Sequence, residues 1–378
     1  MRPFIFARLT PLLAIILFTI MFFTVSLEAW AYPDLVRHGY ASCLACHVSP
    51  TGGGLTTPYG RSLSKELVSH WGREGEEKLL YKTTPPEWLN IGGDVRAIQT
   101  YVNTRAFKQA RFFQMQTDLE VAVSYKNFYA DTTAGVQEGP ESTVNRGHFL
   151  SRRHFIGYRP KDELSLRTGR FQAAYGLNLS DHTAVTRRNL GFDENTETDN
   201  IEGAIIGENA DLFLTGIFGR TDEPWGDWEH GAALSTSYFF MDRFKVGFSL
   251  LHGDKSTSTR DLVGLNGILG FSKKLYAISE VDLQMQSSKL VGGAYTHGGV
   301  SYQQLNYEFL QGLHVYLAHQ VSYLDFSDVF SRVDSWGAGT ELYPRPHLDF
   351  QLELRKERAM ALYTSYYDVG WVVLHYYL

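Results

Sequence analysis

The sequence predicts an all-β chain, an outer-membrane antiparallel β-barrel of about sixteen strands with a short N-terminal plug. Three observations lead there. Apolar and polar residues alternate with period two from Trp88 to the C-terminus, and the connections between the alternating runs are short and long in turn. A C-x-x-C-H pentapeptide follows soon after an export signal.

The export signal comes first. Arg2 and Arg8 precede an apolar run from Pro11 to Val25, and Ala29-Trp30-Ala31 has the small-x-small pattern cut by a signal peptidase, so residues 1–31 are the expected signal peptide. An uncleaved anchor is the alternative, but about fifteen apolar residues fall short of the ~20 that span a bilayer. The mature chain then begins at Tyr32.

Residues 32–87 form the expected plug. Cys43-Leu44-Ala45-Cys46-His47 has the spacing at which a c-type haem is attached, with thioether links from Cys43 and Cys46 and an axial nitrogen from His47. The competing reading is a small disulfide or two idle thiols. The chain has only these two cysteines, and export delivers them to the compartment where bacteria attach haem. One covalent haem c is therefore expected. The glycines Gly52-Gly53-Gly54 either let backbone pass close to the porphyrin or form a flexible loop. Ser62 to Trp71 is expected to be a short helix with Leu63, Leu67 and Val68 inward, and Pro85-Pro86 to mark the boundary.

A second axial ligand is narrowed by elimination. No methionine lies between Tyr32 and Gln114, so the plug offers His70, on the expected helix, with His38 as the alternative. A lumen residue such as Met115 or a barrel histidine, or a vacant position, completes the options. About forty residues between motif and first strand are too few for an independent cytochrome core, so the haem must pack against the barrel lumen. A barrel of about sixteen strands is wide enough to hold a plug.

Residues 88–378 are the expected barrel. In Leu348-Asp349-Phe350-Gln351-Leu352-Glu353-Leu354-Arg355 every other residue is apolar, and Phe244, Val246, Phe248 and Leu250 alternate with Lys245, Gly247 and Ser249. Phe113, Met115, Leu119, Val121 and Val123 are expected on one face, opposite Gln114, Gln116, Asp118 and Glu120. A soluble sandwich alternates too, but strand number and length favour a membrane barrel. Tight turns are expected near 125–127, 159–162, 208–211, 241–243, 272–274 and 344–346. Longer connections are expected around 138–147, 174–199, 220–229, 254–260, 324–332 and 356–363. An even strand count returns both ends to the periplasm, and Val372, Leu374, Tyr376 and Leu378 carry an apolar face to the chain's end.

The third loop, about Tyr175 to Asn200, is the longest and carries Asp181, His182, Asp193, Glu194, Glu197 and Asp199. Arg146, Arg152, Arg153, Arg167, Arg170, Arg187 and Arg188 cluster in and around it. Acid facing base would set a transverse field across a constriction; the acids also suit a cation site, and ordinary salt bridges are the bland reading.

The formal charge of −6, which becomes −7 once Arg2, Arg8 and Glu28 leave with the signal, gives no sign of nucleic-acid binding. The run His38-Gly39-Tyr40-Ala41-Ser42-Cys43-Leu44-Ala45-Cys46-His47, the later Tyr59-Gly60-Arg61 and the layout as a whole resemble the fused monohaem cytochrome–porins of iron-oxidising bacteria. That resemblance implies electron transfer through the haem between an extracellular redox substrate such as iron and a periplasmic carrier, a cytochrome. It implies a place in the cell outer membrane, with the haem segment in the lumen or on the periplasmic side. A diffusion porin with a structural or regulatory haem is the alternative. Whether the chain is an iron oxidoreductase stays open at this point.

Overall fold

The structure, a computed structural model, describes residues 34–137, 148–193, 195–290 and 293–378; the expected signal, Arg146 and Glu194 lie outside them. The strands are β1 (Leu89–Asn103), β2 (Lys108–Tyr125), β3 (Phe128–Gln137), β4 (His148–Leu150), β5 (His154–Lys161), β6 (Leu164–Phe171), β7 (Thr198–Ile206), β8 (Ala210–Phe218), β9 (His230–Phe240) and β10 (Phe244–Asp254). They continue as β11 (Ser258–Gly270), β12 (Leu275–Ser288), β13 (Tyr295–Leu310), β14 (Leu313–Tyr323), β15 (Arg332–Arg345), β16 (Leu348–Ala359) and β17 (Tyr367–Tyr377). Each pairs antiparallel with its neighbours, and β1 pairs with β17 from Asp94↔Tyr377 to Asn103↔Asp368, which closes the sheet. Both β4 and β5 pair with β3, so they are two parts of one wall strand and the barrel has sixteen strands. Closure leaves no unpaired edge, the condition for a sheet in lipid.

The polarity of the two faces separates a membrane barrel from a soluble sandwich. On β16, Phe350, Leu352 and Leu354 face outward at 39%, 39% and 63% exposure, while Asp349, Glu353 and Arg355 are buried inside. The same inversion holds on β10, where Val246 and Leu250 are exposed and Ser249 is fully buried. An apolar exterior around a polar interior suits hydrocarbon outside and a filled or watery lumen inside. The expected second face of β2 is corrected in part. A bulge between Arg96 and Ala97 skips one residue of β2, so the alternation changes phase. Leu119 and Val123 face outward as expected, but Phe113 and Met115 turn into the lumen against Ile98, Trp371 and Val373.

Turns of two to four residues join β2–β3, β5–β6, β7–β8, β9–β10, β11–β12, β13–β14 and β15–β16 on one side. The expected 254–260 connection is instead a three-residue hairpin, Lys255–Thr257, because β10 and β11 pair as far as Asp254↔Thr259. Most of residues 34–69 is buried against the lumen wall, and the largely exposed stretch 70–87 caps the short-turn end. At that end His70 N donates to Tyr343 O (2.8 Å), Trp71 N to Pro344 O (3.0 Å) and His347 Nε2 to Glu76 O (2.8 Å). The plug helix runs Pro58–Leu63 and continues as one π turn through Val68, earlier than the expected 62–71. Thr57 sets its start by accepting from Gly60 N, with Pro58 in the first turn where its missing N–H costs nothing. Leu63 packs with Leu35 and Cys46, and with the partly buried Leu67 and Val68.

Candidate functional site

The C-x-x-C-H segment is wound into one tight turn. Ser42 Oγ accepts from Leu44 N, and Cys43 O accepts from both Cys46 N (3.1 Å) and His47 N (3.0 Å), so both cysteines and the histidine share one short spiral. The chain then folds back: Val48 N donates to Leu55 O and Thr57 N to Cys46 O, with His47 bridging Thr56. Between them Gly52, Gly53 and Gly54 have φ of +78°, +74° and +63°, a left-handed run that only glycine adopts cheaply. A Cβ on Gly52 would lie 3.2 Å from Cys43 Sγ and 3.9 Å from His47 Cδ2. The glycines thus bring backbone close to Cys43, Asn178 and Arg153.

His47 is held as a ligand-competent base. Its Nδ1 lies 3.3 Å from Gly54 O, and a carbonyl can only accept, so Nδ1 carries the proton and Nε2 the lone pair. Burial lowers its pKa to about 4, which keeps the ring neutral at physiological pH. Burial pushes both thiols up, that of Cys46 to about 12. Cys43 is partly exposed to a cavity, whereas Cys46 is 1% exposed among Leu35 and Leu63.

Two residues that sequence reasoning left without a role support this turn. Gly60 lets the helix touch the motif, since a Cβ there would stand 2.4 Å from Cys46 O. Arg61, 3% exposed, donates to Ile91 O (2.9 Å) and to Asn90 at the start of β1. The wall grips the plug elsewhere too. Arg37 Nη1 donates to Glu308 Oε2 (2.6 Å), and Lys245 Nζ donates to Ala41 O (2.6 Å). Arg167 donates to Ser49 Oγ (3.0 Å) and Thr51 Oγ1 (3.2 Å) while paired with Glu202 (2.7 Å).

The third loop folds inward across the lumen. Leu177 N donates to Glu280 Oε2 (2.9 Å), Tyr175 OH to Asp282 Oδ1 (2.9 Å), Val185 N to Gln320 Oε1 (3.0 Å) and Asn189 Nδ2 to Ser322 Oγ (2.5 Å). These bonds carry it from β6 to β12 and β14. Its acids meet bases: Asp181 approaches Arg355 (3.8 Å), Asp193 meets His182 (3.3 Å) and Asp199 meets Arg170 (3.2 Å). Arg152 pairs with Asp118, and Arg153 with Glu120 at 2.8 Å. Among the described residues no group of three or more His, Cys, Asp or Glu is placed to hold a metal ion.

Two cavities adjoin at His47, of about 250 and 130 Å³. Together they reach the range of pockets that enclose small molecules, about 300–1,000 Å³. Neither His70 nor His38 lines them. His70 lies beyond the helix, exposed, its Nδ1 donating to Gln311 O (3.0 Å) beside Trp71. His38 ends the 3-10 turn Asp34–His38, and Met115 lines a separate small pocket with His182 and Trp371. The histidines that share the larger cavity with His47 are His182 and His375. His182 Nε2 accepts from Arg96 Nη1 (2.6 Å), whereas His375 faces Asp94 (2.7 Å) and Asp349 (3.0 Å) with its two nitrogens.

No family model matches the chain, and no curated protein is similar to it in sequence. Solved structures are similar in fold. A loop L8 deletion mutant of the outer-membrane protein OmpT of Vibrio cholerae aligns over 77% of this chain and 99% of its own, with TM-score 0.60 and 9% identity. The outer-membrane channel DcaP of Acinetobacter baumannii covers 77% and 97% (0.57, 12%), and an anion-selective porin from Comamonas acidovorans 77% and 99% (0.58, 12%). At such identities the likeness speaks for the fold, and what is left over from the match is no larger than the signal and plug together. The chain thus has the closed sixteen-stranded fold of the outer-membrane porins, with a C-x-x-C-H plug built into its lumen.

Proposed function

We propose that this chain is an outer-membrane cytochrome–porin that passes electrons through one covalently attached haem c, between an extracellular redox substrate and a periplasmic carrier. The observation that carries the reading is the Cys43–His47 turn, wrapped by left-handed glycines and fixed beside a lumen cavity by wall arginines. The residues fit the group. His47 is neutral, with its Nδ1–H spent on a carbonyl, the usual orientation of a ligating histidine. Cys43 borders a cavity, and Gly52 leaves its sulfur uncrowded. Cys46 sits in the apolar cluster of Leu35 and Leu63 and lines neither cavity. Bound haem would supply a one-electron carrier whose potential is set by its axial ligands and burial.

Each part of the chain then has a task. Cys43 and Cys46 would hold the porphyrin, His47 would ligate its iron, and the barrel would carry both across the outer membrane. The resemblance in sequence supplies iron as the candidate extracellular substrate and a cytochrome as the candidate periplasmic partner. For a second ligand His70 and His38 stay the candidates; His182, which shares the larger cavity with His47, would serve only with the haem in that cavity and with its Nε2 released from Arg96. A diffusion porin with a structural haem is the second reading, favoured by the fold neighbours. Against it, plug and third loop both cross the lumen.

Haem staining of the denatured protein tests the proposal. Thioether-bound haem keeps its colour in a denaturing gel and after acid–acetone extraction, and loses it in the Cys43→Ser, Cys46→Ser double variant. A colourless wild-type protein from cells competent in haem attachment would overturn the reading.

A further inference from the structure

We propose that the porphyrin packs in the smaller, more apolar cavity and that the inward-folded third loop is its wall, which places an external loop in contact with the haem. This rests on the haem reading above. Of the two cavities that meet at His47, only the smaller is also lined by a cysteine of the motif, Cys43. The larger mixes charged groups, Asp94, Arg96, Arg152 and Arg153, with aromatic ones such as Tyr276 and Trp371. The smaller is bounded by Ala173, Tyr175, Leu177 and Phe192 of the loop, with Phe213 and Ile268 of the wall. A macrocycle tethered at Cys43 gains by leaving water for the more apolar slot, and the charged groups of the larger cavity would offset that gain.

The loop is shaped for that role. Tyr175 and Phe192 stack at 4.8 Å with their planes 5° apart, and both line the slot. A flat, rigid aromatic pair is a suitable neighbour for a planar π system. It is also fixed, since Tyr175 donates to Asp282 and the adjacent Leu177 N to Glu280. A haem also carries two propionate carboxylates, and buried anions need cations. Lys245 lines the slot, and Arg187, on the loop's helix Val185–Arg188, lines both cavities. The turn in the chain that makes the third loop inward is thus the one that brings an aromatic wall and a guanidinium to Cys43.

The test uses the haem-loaded full chain and two readouts. Phe192→Ala and the still apolar Phe192→Leu are compared with Gln304→Ala, at a residue that lines the larger of the two cavities and not the smaller. Denaturing-gel haem staining comes first and should persist in all three, because attachment depends on Cys43 and Cys46; no stain in the wild type would fail the underlying reading. The Soret maximum and midpoint potential come second. Both Phe192 variants should shift them while Gln304→Ala leaves them in place. Full stain with an unmoved spectrum and potential in both Phe192 variants would overturn the inference, and a shift confined to Gln304→Ala would put the porphyrin in the larger cavity instead.

Discussion

Gly54 is the position where one methyl group should do most damage to the site and least to the barrel. Its φ is +63°, and a Cβ would stand 2.4 Å from Arg153 Cζ. An alanine in that backbone region costs about 1–2 kcal/mol. The steric term depends on whether the neighbour can retreat, and Arg153 is held at 2.8 Å by the buried Glu120. Overpacking against a fixed group costs about 1–3 kcal/mol. Gly54→Ala should therefore destabilise the plug turn by at least about 2 kcal/mol, roughly a 30-fold rise in local opening. Hydrogen exchange on detergent-folded protein measures it, with faster exchange at Val48 and Thr57, whose amides donate within this turn, and no change in β10–β17. Gly75→Ala is the control, since Gly75 has φ +88° but nothing within 4 Å of its Cβ, so only the backbone cost of about 1–2 kcal/mol applies. Equal protection in Gly54→Ala and wild type, or equal effects of the two variants, would refute the steric part of the argument.

Other outcomes follow from the same geometry. In a folded, haem-free barrel Cys46 should resist maleimide at pH 7–8, because it is 1% exposed and its thiol is pushed up to about 12; labelling should appear on denaturation. Arg167→Met should cost about 3–5 kcal/mol, read as a lower melting temperature, by leaving Glu202 buried without its cation and freeing Ser49 and Thr51. His47→Ala should leave a heat-modifiable, membrane-inserted barrel, since strand pairing involves residues remote from it, while removing haem-linked reduction. If the axial partner is His182, His182→Ala yields a high-spin or water-bound haem and His70→Ala leaves the spectrum low-spin; the reverse pattern assigns the position to His70.

Much of the fold was legible because a barrel wall repeats one simple rule. Period-two alternation read on β16 and β10 is the alternation found, and the C-terminal apolar face of Val372 and Leu374 is exposed as expected. The rule misled at Phe113 and Met115, where a bulge changes the phase of β2, and nothing local in that run announces it. Of the candidate site, the sequence displayed the Cys43–His47 motif but not its surroundings. Tyr59-Gly60-Arg61 stood out in sequence, but its reason, a helix pressed on Cys46 and an arginine reaching β1, is a contact between segments far apart in the chain. His70 fell away from the cavity because the helix begins at Pro58 and ends before it. His182 entered because a 26-residue loop turns inward through bonds to β12 and β14, a placement no helical or strand periodicity encodes.

Electron transfer across the barrel through the plug can be measured directly. Reconstitute the haem-loaded chain in sealed proteoliposomes with a membrane-impermeant electron acceptor inside and ferrous iron or another impermeant reductant outside, and follow the haem spectrum and the internal acceptor together. The account predicts reduction of the haem followed by reduction of the internal acceptor, both lost in His47→Ala, with little ionic conductance through the same protein in planar bilayers. Open, porin-like conductance with a haem that stays oxidised under external reductant would contradict it.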